Sequence, residues 1–306
     1  MPLEGTVAVT LNHRTPRETA RAVESLRQGS PSLAGIVVVD NASGDDSVSL
    51  LRDLPDVRLI VSDRNDGFSA GCNLGIREAL RLGAERVFLL NSDAQVSPET
   101  VALLAEALSA DARLGIAGPT ILEGSRPDSV QSLGIRYNRT TGRMRHLGHG
   151  EPRVGGSRDA RVGGGVVDGV SGCAMLIRRE VFAAVGLLAE EYFFGFEDLD
   201  FCLRAGSAGF ATVCVGAATA WHEGSVSIGR RSALRAYFAT RNHLLLASRA
   251  SAHRSLAARG MLAATVAALN LAHVLVAADV PRIEGLHGFA RGLRDHLADR
   301  YGPAPW

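Results

Sequence analysis

The sequence contains no lysine, so all 33 of its basic residues are arginine. Against 32 acidic residues this leaves a net charge of +1, and no overall field draws the chain toward nucleic acid. The missing lysine is read as a mark of genomic base composition rather than of chemistry. Cysteine is scarce as well. Cys72, Cys173, Cys202 and Cys214 show no CxxC spacing, and three of them lie in apolar runs, so they are expected to be reduced core residues. The ligand spacings of a structural zinc site are absent. Neither the Walker pattern nor the dinucleotide glycine pattern occurs, which leaves an ATPase or a dehydrogenase without support. No cationic, apolar leader precedes the first apolar run, so the expected location is the cytoplasm or the inner face of the plasma membrane. The Asn138-Arg139-Thr140 sequon is then a chance match.

What is present is a large apolar fraction, 46% of 306 residues, enough for a sizeable core. Its distribution is regular at the front of the chain. Thr6 to Leu11, Ile36 to Val39, Val57 to Val61 and Val87 to Leu90 are short β-favouring runs, each followed by a helix-like segment. Helices are expected from Pro16 to about Gln28 and from about Cys72 to Leu82. A further one should open at Ser97-Pro98-Glu99, with Ser97 as N-cap and Pro98 at the first helical position. Alternation of this kind predicts an α/β fold with a mostly parallel sheet flanked by helices. Each run ends in polar residues: Asn12-His13-Arg14, Asp40-Asn41-Ala42-Ser43, Asn65-Asp66-Gly67-Phe68 and Asn91-Ser92-Asp93. The carboxyl ends of such strands are where open α/β sheets bind ligands. Capping turns would use the same residues.

Farther along, Glu197, Asp198 and Asp200 crowd beside the aromatic run Tyr192-Phe193-Phe194-Gly195-Phe196. Carboxylates near one another and near apolar surface repel and lose solvation, so at least one pKa should rise, as a general base requires. An acidic first helical turn, favoured by the helix dipole, is the alternative.

These pieces, with Val9-Thr10-Leu11-Asn12, Ser171-Gly172-Cys173 and Trp221-His222-Glu223-Gly224-Ser225, occur in an order that resembles family-2 glycosyltransferases of the GT-A fold. The likeness runs over roughly residues 5 to 245 and is nearest to the bacterial rhamnosyltransferase-like group. The resemblance implies an inverting transfer of a sugar from a nucleotide-diphosphate donor to an acceptor hydroxyl. It implies Asp198 as the base, with Glu197 and Asp200 as alternates. It places the donor against Asn12, Arg14, Asp40, Asn41, Asn65, Gly67, Phe68, Asn91, Ser92, Asp93 and Gly172. It also implies a divalent cation, Mn²⁺ or Mg²⁺, on Asp93 and His222. Where the family carries Asp-x-Asp this chain has Asn91-Ser92-Asp93, and a neutral carbonyl is a weaker ligand for a hard cation. An imidazole ligand favours Mn²⁺ over Mg²⁺.

The expected organisation is a glycosyltransferase domain over 1–228, with a nucleotide half to about 120 and an acceptor half from about 121. A helical extension then covers 229–306. Residues 142 to 165, rich in Gly, Arg and His, are expected to form an acceptor-side flap or a disordered loop. Arg230, Arg231, Arg235, Arg241, Arg249, Arg254 and Arg259 should give the extension a positive face. Met261 to Ala278 is apolar enough to approach a membrane span, though its Asn270 and His273 favour a packed core helix or an interfacial one. Expected partners are a nucleotide-sugar donor and a saccharide, lipid-linked or small-molecule acceptor. Association with a membrane surface or with a second copy is also expected, and nucleic acid is not. The competing readings are a nucleotidyltransferase and a non-catalytic sugar-nucleotide-binding protein. The former is disfavoured because Asn12 to Pro16 is not a glycine-rich basic loop.

Overall fold

The computed structural model describes residues 5–29, 32–153, 165–224, 233–276 and 281–305. The four apolar runs are strands: β1 (Thr6–Asn12), β2 (Gly35–Asp40), β3 (Val57–Val61) and β4 (Arg86–Asn91). They pair in parallel in the order β3-β2-β1-β4. Helices α1 (Pro16–Arg27), α2 (Ser47–Arg52) and α3 (Phe68–Arg81) make the crossovers. The strands are apolar on both faces because both faces are covered. Ala8, Val38, Phe88 and Leu90 pack with Val23 and Leu26 of α1, while Val9, Val39, Val87 and Leu89 pack with Ile76 and Ala79 of α3. Gly75 lets α3 close on β1, since a Cβ there would collide with Val9.

Beyond β4 come β5 (Ala94–Val96), α4 (Thr100–Ala110), β6 (Leu114–Glu123), β7 (Arg126–Ser132), β8 (Ile135–Tyr137) and β9 (Met144–His146). Then follow β10 (Gly165–Val167), β11 (Ala174–Arg178), α5 (Arg179–Val185), α6 (Glu197–Ser207) and β12 (Ala211–His222). The main sheet runs β10-β12-β6-β11-β4-β1-β2-β3, with β5 on β12 and β7 on β6. Strand β11 is antiparallel to both β4 and β6, so a parallel first half of the sheet joins a mixed second half.

Three boundaries differ from expectation. Helix α3 begins at Phe68 rather than about Cys72, because Gly67 turns the chain at φ 96° and the Phe68 N–H is taken by Phe193 O at 2.6 Å. Helix α4 begins at Thr100, and Ser97-Pro98 instead form a turn in which Ser97 Oγ meets Thr100 Oγ1 at 2.8 Å. The Gly- and Arg-rich stretch is not a uniform loop, since Met144–His146 pair with β8. Its residues 154–164 lie outside those described.

The C-terminal segment forms α7 (Ala233–Ala250), α8 (Leu256–Val276) and α9 (Arg282–Leu297). Helix α8 is not a packed core helix. Only Leu262, Val266 and Val274 are buried, while Leu256 is 82% exposed and Met261 67%. It is long and apolar enough to cross a membrane, with mean hydropathy 1.5. The expected positive face is also incomplete. Arg241 is fully buried, Arg249 pairs with Glu191 at 2.7 Å, and Arg230 and Arg231 lie outside the described residues.

Candidate active site

The parallel register brings the strand-end residues to one edge. Asn12 stands opposite Asp40, and Asn91 opposite Leu11. Asp40, only 1% exposed, accepts from Asn12 Nδ2 at 2.7 Å, from Ser43 Oγ at 2.5 Å and from Ser43 N at 3.1 Å. The capping turn read from the sequence is therefore formed. Arg14, held at φ 58°, donates its Nε to Ser43 O at 2.9 Å. Asp40→Ala would leave the buried Asn12 amide short of an acceptor. We expect a stability loss of about 1–3 kcal/mol by denaturant titration. An unchanged midpoint would mean that the turn holds without its carboxylate.

A second network joins the loop before α3. Asn41 Nδ2 donates to Asn65 Oδ1 at 2.9 Å and to Gly67 O at 3.1 Å, and Gly67 N donates to Asn65 Oδ1 at 3.0 Å. His13, which the sequence did not single out, closes this ring. Its Nδ1 donates to Asn41 O at 3.1 Å, leaving Nε2 to accept from Asn65 Nδ2 at 3.3 Å. Ser92 is tied to the same edge by Thr15 Oγ1, 3.1 Å away. Phe68 is directed inward and packs against the core beneath α3.

Asp93 and His222 are 129 positions apart in sequence, and the β5–β12 ladder makes them neighbours. His222 pairs with Ala94, and Glu223 N donates to Asp93 O at 3.0 Å. Gln131 Oε1 accepts from His222 Nδ1 at 2.9 Å, so Nε2 presents its lone pair. That Nε2 is buried without a hydrogen-bond partner and lies 3.3 Å from Asp93 Oδ1; Asn91 Oδ1 is buried and unpartnered too. An unprotonated imidazole nitrogen beside a carboxylate is a donor set suited to a divalent cation, the remaining positions being open to phosphate and water. Among the described residues no group of three or more His, Cys, Asp or Glu gathers for a metal. Gln131 had no signal in the sequence, being a single amide in a short strand.

The acidic cluster opens α6 as expected, and its members separate by environment. Asp198 is half-buried; its Oδ2 accepts from Gly172 N at 2.8 Å and its Oδ1 from Leu199 N at 2.7 Å. Gly172 faces this carboxylate, and a Cβ there would stand 3.1 Å from Asp198 Cβ. Asp200 is buried in a closed set with Tyr192 OH at 3.1 Å, Arg204 Nε at 2.8 Å and Arg249 at 3.7 Å. Glu197 is 6% exposed with Oε2 unpartnered, and burial, then the neighbouring Asp198 charge, pushes its carboxyl up to about 8. The charges of Asp93 and Asp198 both add to the rise that burial imposes on the Cys173 thiol. All four cysteines are free and buried, and burial pushes Cys173, Cys202 and Cys214 up to about 12.

The raised Glu197 carboxyl has a stability consequence. The folded state holds that proton to about pH 8, whereas the unfolded chain releases it near the ordinary glutamate value of 4.5. Between those values the native state binds more protons, so this contribution is fully present below 4.5 and is lost as pH rises toward 8. Glu197→Gln should therefore gain stability relative to the parent on going from about pH 5 to about pH 8, on the order of a few kcal/mol. Parallel stability–pH curves for the two proteins would exclude a raised Glu197.

The model of Glycosyl transferase family 2 matches residues 7–186. A dTDP-rhamnosyl transferase of Shigella flexneri, RfbF, is 27% identical over 169 residues, 55% of this chain and 53% of that protein. An N-acetylglucosaminyl-diphospho-decaprenol L-rhamnosyltransferase of Mycobacterium tuberculosis is 29% identical over 240 residues, 73% of this chain and 77% of that one. The chain thus spans about half the length of the first of these relatives (53%). Among solved structures, GalNAc-T7 with UDP, GalNAc and Mn²⁺ superposes with TM-score 0.65 at 17% identity, over 95% of this chain and 54% of that one. The mannosyltransferase PcManGT of Pyrobaculum calidifontis, in complex with GDP-Man and Mn²⁺, gives 0.58 at 15% identity, over 96% and 87%. These likenesses show the GT-A type of fold. With a family match over more than half its length, the chain belongs to glycosyl transferase family 2.

Proposed function

We propose that the protein is an inverting glycosyltransferase that moves a sugar from a nucleotide-diphosphate donor to an acceptor hydroxyl. The observation that carries this reading is the pair of buried, unpartnered polar atoms, Asn91 Oδ1 and His222 Nε2, beside Asp93 at the carboxyl edge of the sheet. Polar atoms left unpaired in the interior are costly unless a ligand completes them. Asp93 and His222 would hold a divalent cation, which when bound offsets the charge building on the departing diphosphate. The acceptor oxygen attacks the anomeric carbon, the bond to the diphosphate breaks, and Asp198 takes the acceptor's proton. Glu197, Asp200 and Gly172 serve that step by position: Gly172 N and Leu199 N fix the Asp198 oxygens, and Asp200 anchors α6 through Arg204. Asn12, Arg14, Asp40, Asn41, Asn65, Gly67, Phe68 and Ser92 build the donor pocket and hold its shape.

The names of the rhamnosyl-transferring relatives support a deoxysugar donor such as dTDP-rhamnose. A lipid-linked acceptor at the inner face of the plasma membrane is supported by the decaprenol-linked substrate in the mycobacterial relative's name and by the exposed apolar side of α8. The 229–306 segment is read as a helical extension that completes the acceptor side. The test is a thermal-shift and calorimetric screen of nucleotide diphosphates and sugar nucleotides with and without Mn²⁺. A dTDP-sugar should raise Tm in a concentration-dependent way. No binding by any nucleotide would sink the proposal. Binding with no sugar transfer to any acceptor would leave a non-catalytic sugar-nucleotide-binding protein.

A further inference from the structure

The family match ends at residue 186, before the acidic cluster, and the contacts that hold the loop leading into that cluster come from still farther along the chain. The loop preceding α6 is strained. Phe193 and Phe196 sit at φ 61° and 76°, a region that bulky side chains rarely enter unless their surroundings enforce it. Phe196 is the residue immediately before Glu197, so this backbone sets the direction in which α6, and with it Asp198, begins.

The enforcement comes from α7. Asn242 is completely buried, and its Nδ2 lies 2.8 Å from Tyr192 O, 2.8 Å from Phe194 O and 3.0 Å from Gly195 O. Its Oδ1 accepts from Arg241 Nε at 3.0 Å. Arg241 is likewise 0% exposed, and its donors are all used without a carboxylate in direct contact. Nη1 reaches Tyr237 OH at 3.1 Å and Gly302 O at 2.8 Å; Nη2 reaches Tyr192 O at 3.0 Å and Glu191 O at 3.3 Å. The guanidinium also lies over the rings of Phe238 and Tyr237, at 4.9 and 5.1 Å. Phe238 in turn stacks on Phe193, at 5.5 Å between centroids and 6° between planes. A buried cation is expensive, and this one is spent on loop carbonyls.

We infer that Arg241 and Asn242 are positioning residues for the transfer reaction: they hold the Tyr192–Phe196 loop in its strained form and thereby aim Asp198 at the acceptor. The inference rests on the glycosyltransferase reading above. It makes the C-terminal helices part of the catalytic apparatus. Most of the donor pocket bonds within itself, through Asn41, Asn65, Gly67 and His13, and it meets the clamped loop where Phe68 N donates to Phe193 O at 2.6 Å.

Asn242 bonds the carbonyls of Tyr192, Phe194 and Gly195 and not that of Phe193, and this separation gives the test. Asn242→Asp keeps size but removes both amide donors and turns a carboxylate toward carbonyl oxygens. With purified full-length protein we expect kcat to fall by about 10- to 100-fold, the cost of displacing a reacting group by a fraction of an ångström to one ångström. Calorimetric affinity for the nucleoside diphosphate should stay within about threefold of the parent. Asn242→Ser, which restores one donor, should recover part of the lost kcat. A folded Asn242→Asp variant with parental kcat would overturn the inference, as would equal losses in kcat and nucleotide affinity. If Asn242→Asp does not fold, the serine variant decides by itself, and parental kcat there is again contrary. Absence of transfer by the parent protein would instead refute the underlying reading.

Discussion

Asp198→Asn is expected to lower kcat by about 10²- to 10⁴-fold while leaving donor affinity and melting temperature close to the parent. The substitution keeps the size of the side chain and changes no core volume, but it removes the carboxylate proposed to take the acceptor's proton. We place the chemistry on Asp198 because the other two carboxylates of the cluster are otherwise engaged. Asp200 is enclosed by Tyr192, Arg204 and Arg249. Glu197, buried and raised to about 8, keeps its own proton at neutral pH. Two carboxyls whose surroundings differ in this way divide into a proton holder and a proton acceptor. Turnover measured on Asp198→Asn, Glu197→Gln and Asp200→Asn assigns the role. Near-parental rates in all three would reduce the cluster to a helix-start acidic turn.

Removal of divalent cations should produce the second large effect. Chelator-treated protein is expected to lose most of its transfer rate and to regain it with Mn²⁺ more readily than with Mg²⁺, because one of the two protein ligands is an imidazole. Asp93→Ala and His222→Ala should each weaken the cation's strengthening of nucleotide binding. Gln131→Ala should do so more mildly, since Gln131 Oε1 fixes the tautomer that exposes His222 Nε2. Such supporting partners are typically worth about 10- to 100-fold in metal affinity. Full transfer by cation-free protein would reject the assignment. Arginines or helix termini would then have to meet the charge of the leaving diphosphate.

Much of this was legible in the sequence because it depends on local pattern. Period-two burial on two covered faces makes β1, β2 and β4 continuous apolar runs, and chain polarity alone then puts Asn12, Asp40 and Asn91 at their carboxyl ends. The ordered motifs led in the same way to the family that the comparison confirms. The start of α3 was misplaced because its cause is not local, being the contact of the Phe68 N–H with Phe193 O. The same limit applies to α8. Its composition reads equally as core or as surface, and only its neighbours decide that Leu256 and Met261 face outward.

The sequence by itself determined the strand–helix alternation, the polar strand ends and the identity of the acidic cluster. Each is a matter of spacing and residue type within a few positions. The tertiary structure alone decided which carboxylate of Glu197, Asp198 and Asp200 is enclosed by partners, which is buried with an unpartnered oxygen and which is half-exposed. It alone brought Gln131 to His222 and His222 to Asp93, and it set Arg241 and Asn242 beneath the aromatic loop. Those outcomes depend on burial and on bonds between segments distant in the chain, and neither is encoded in any one stretch of residues.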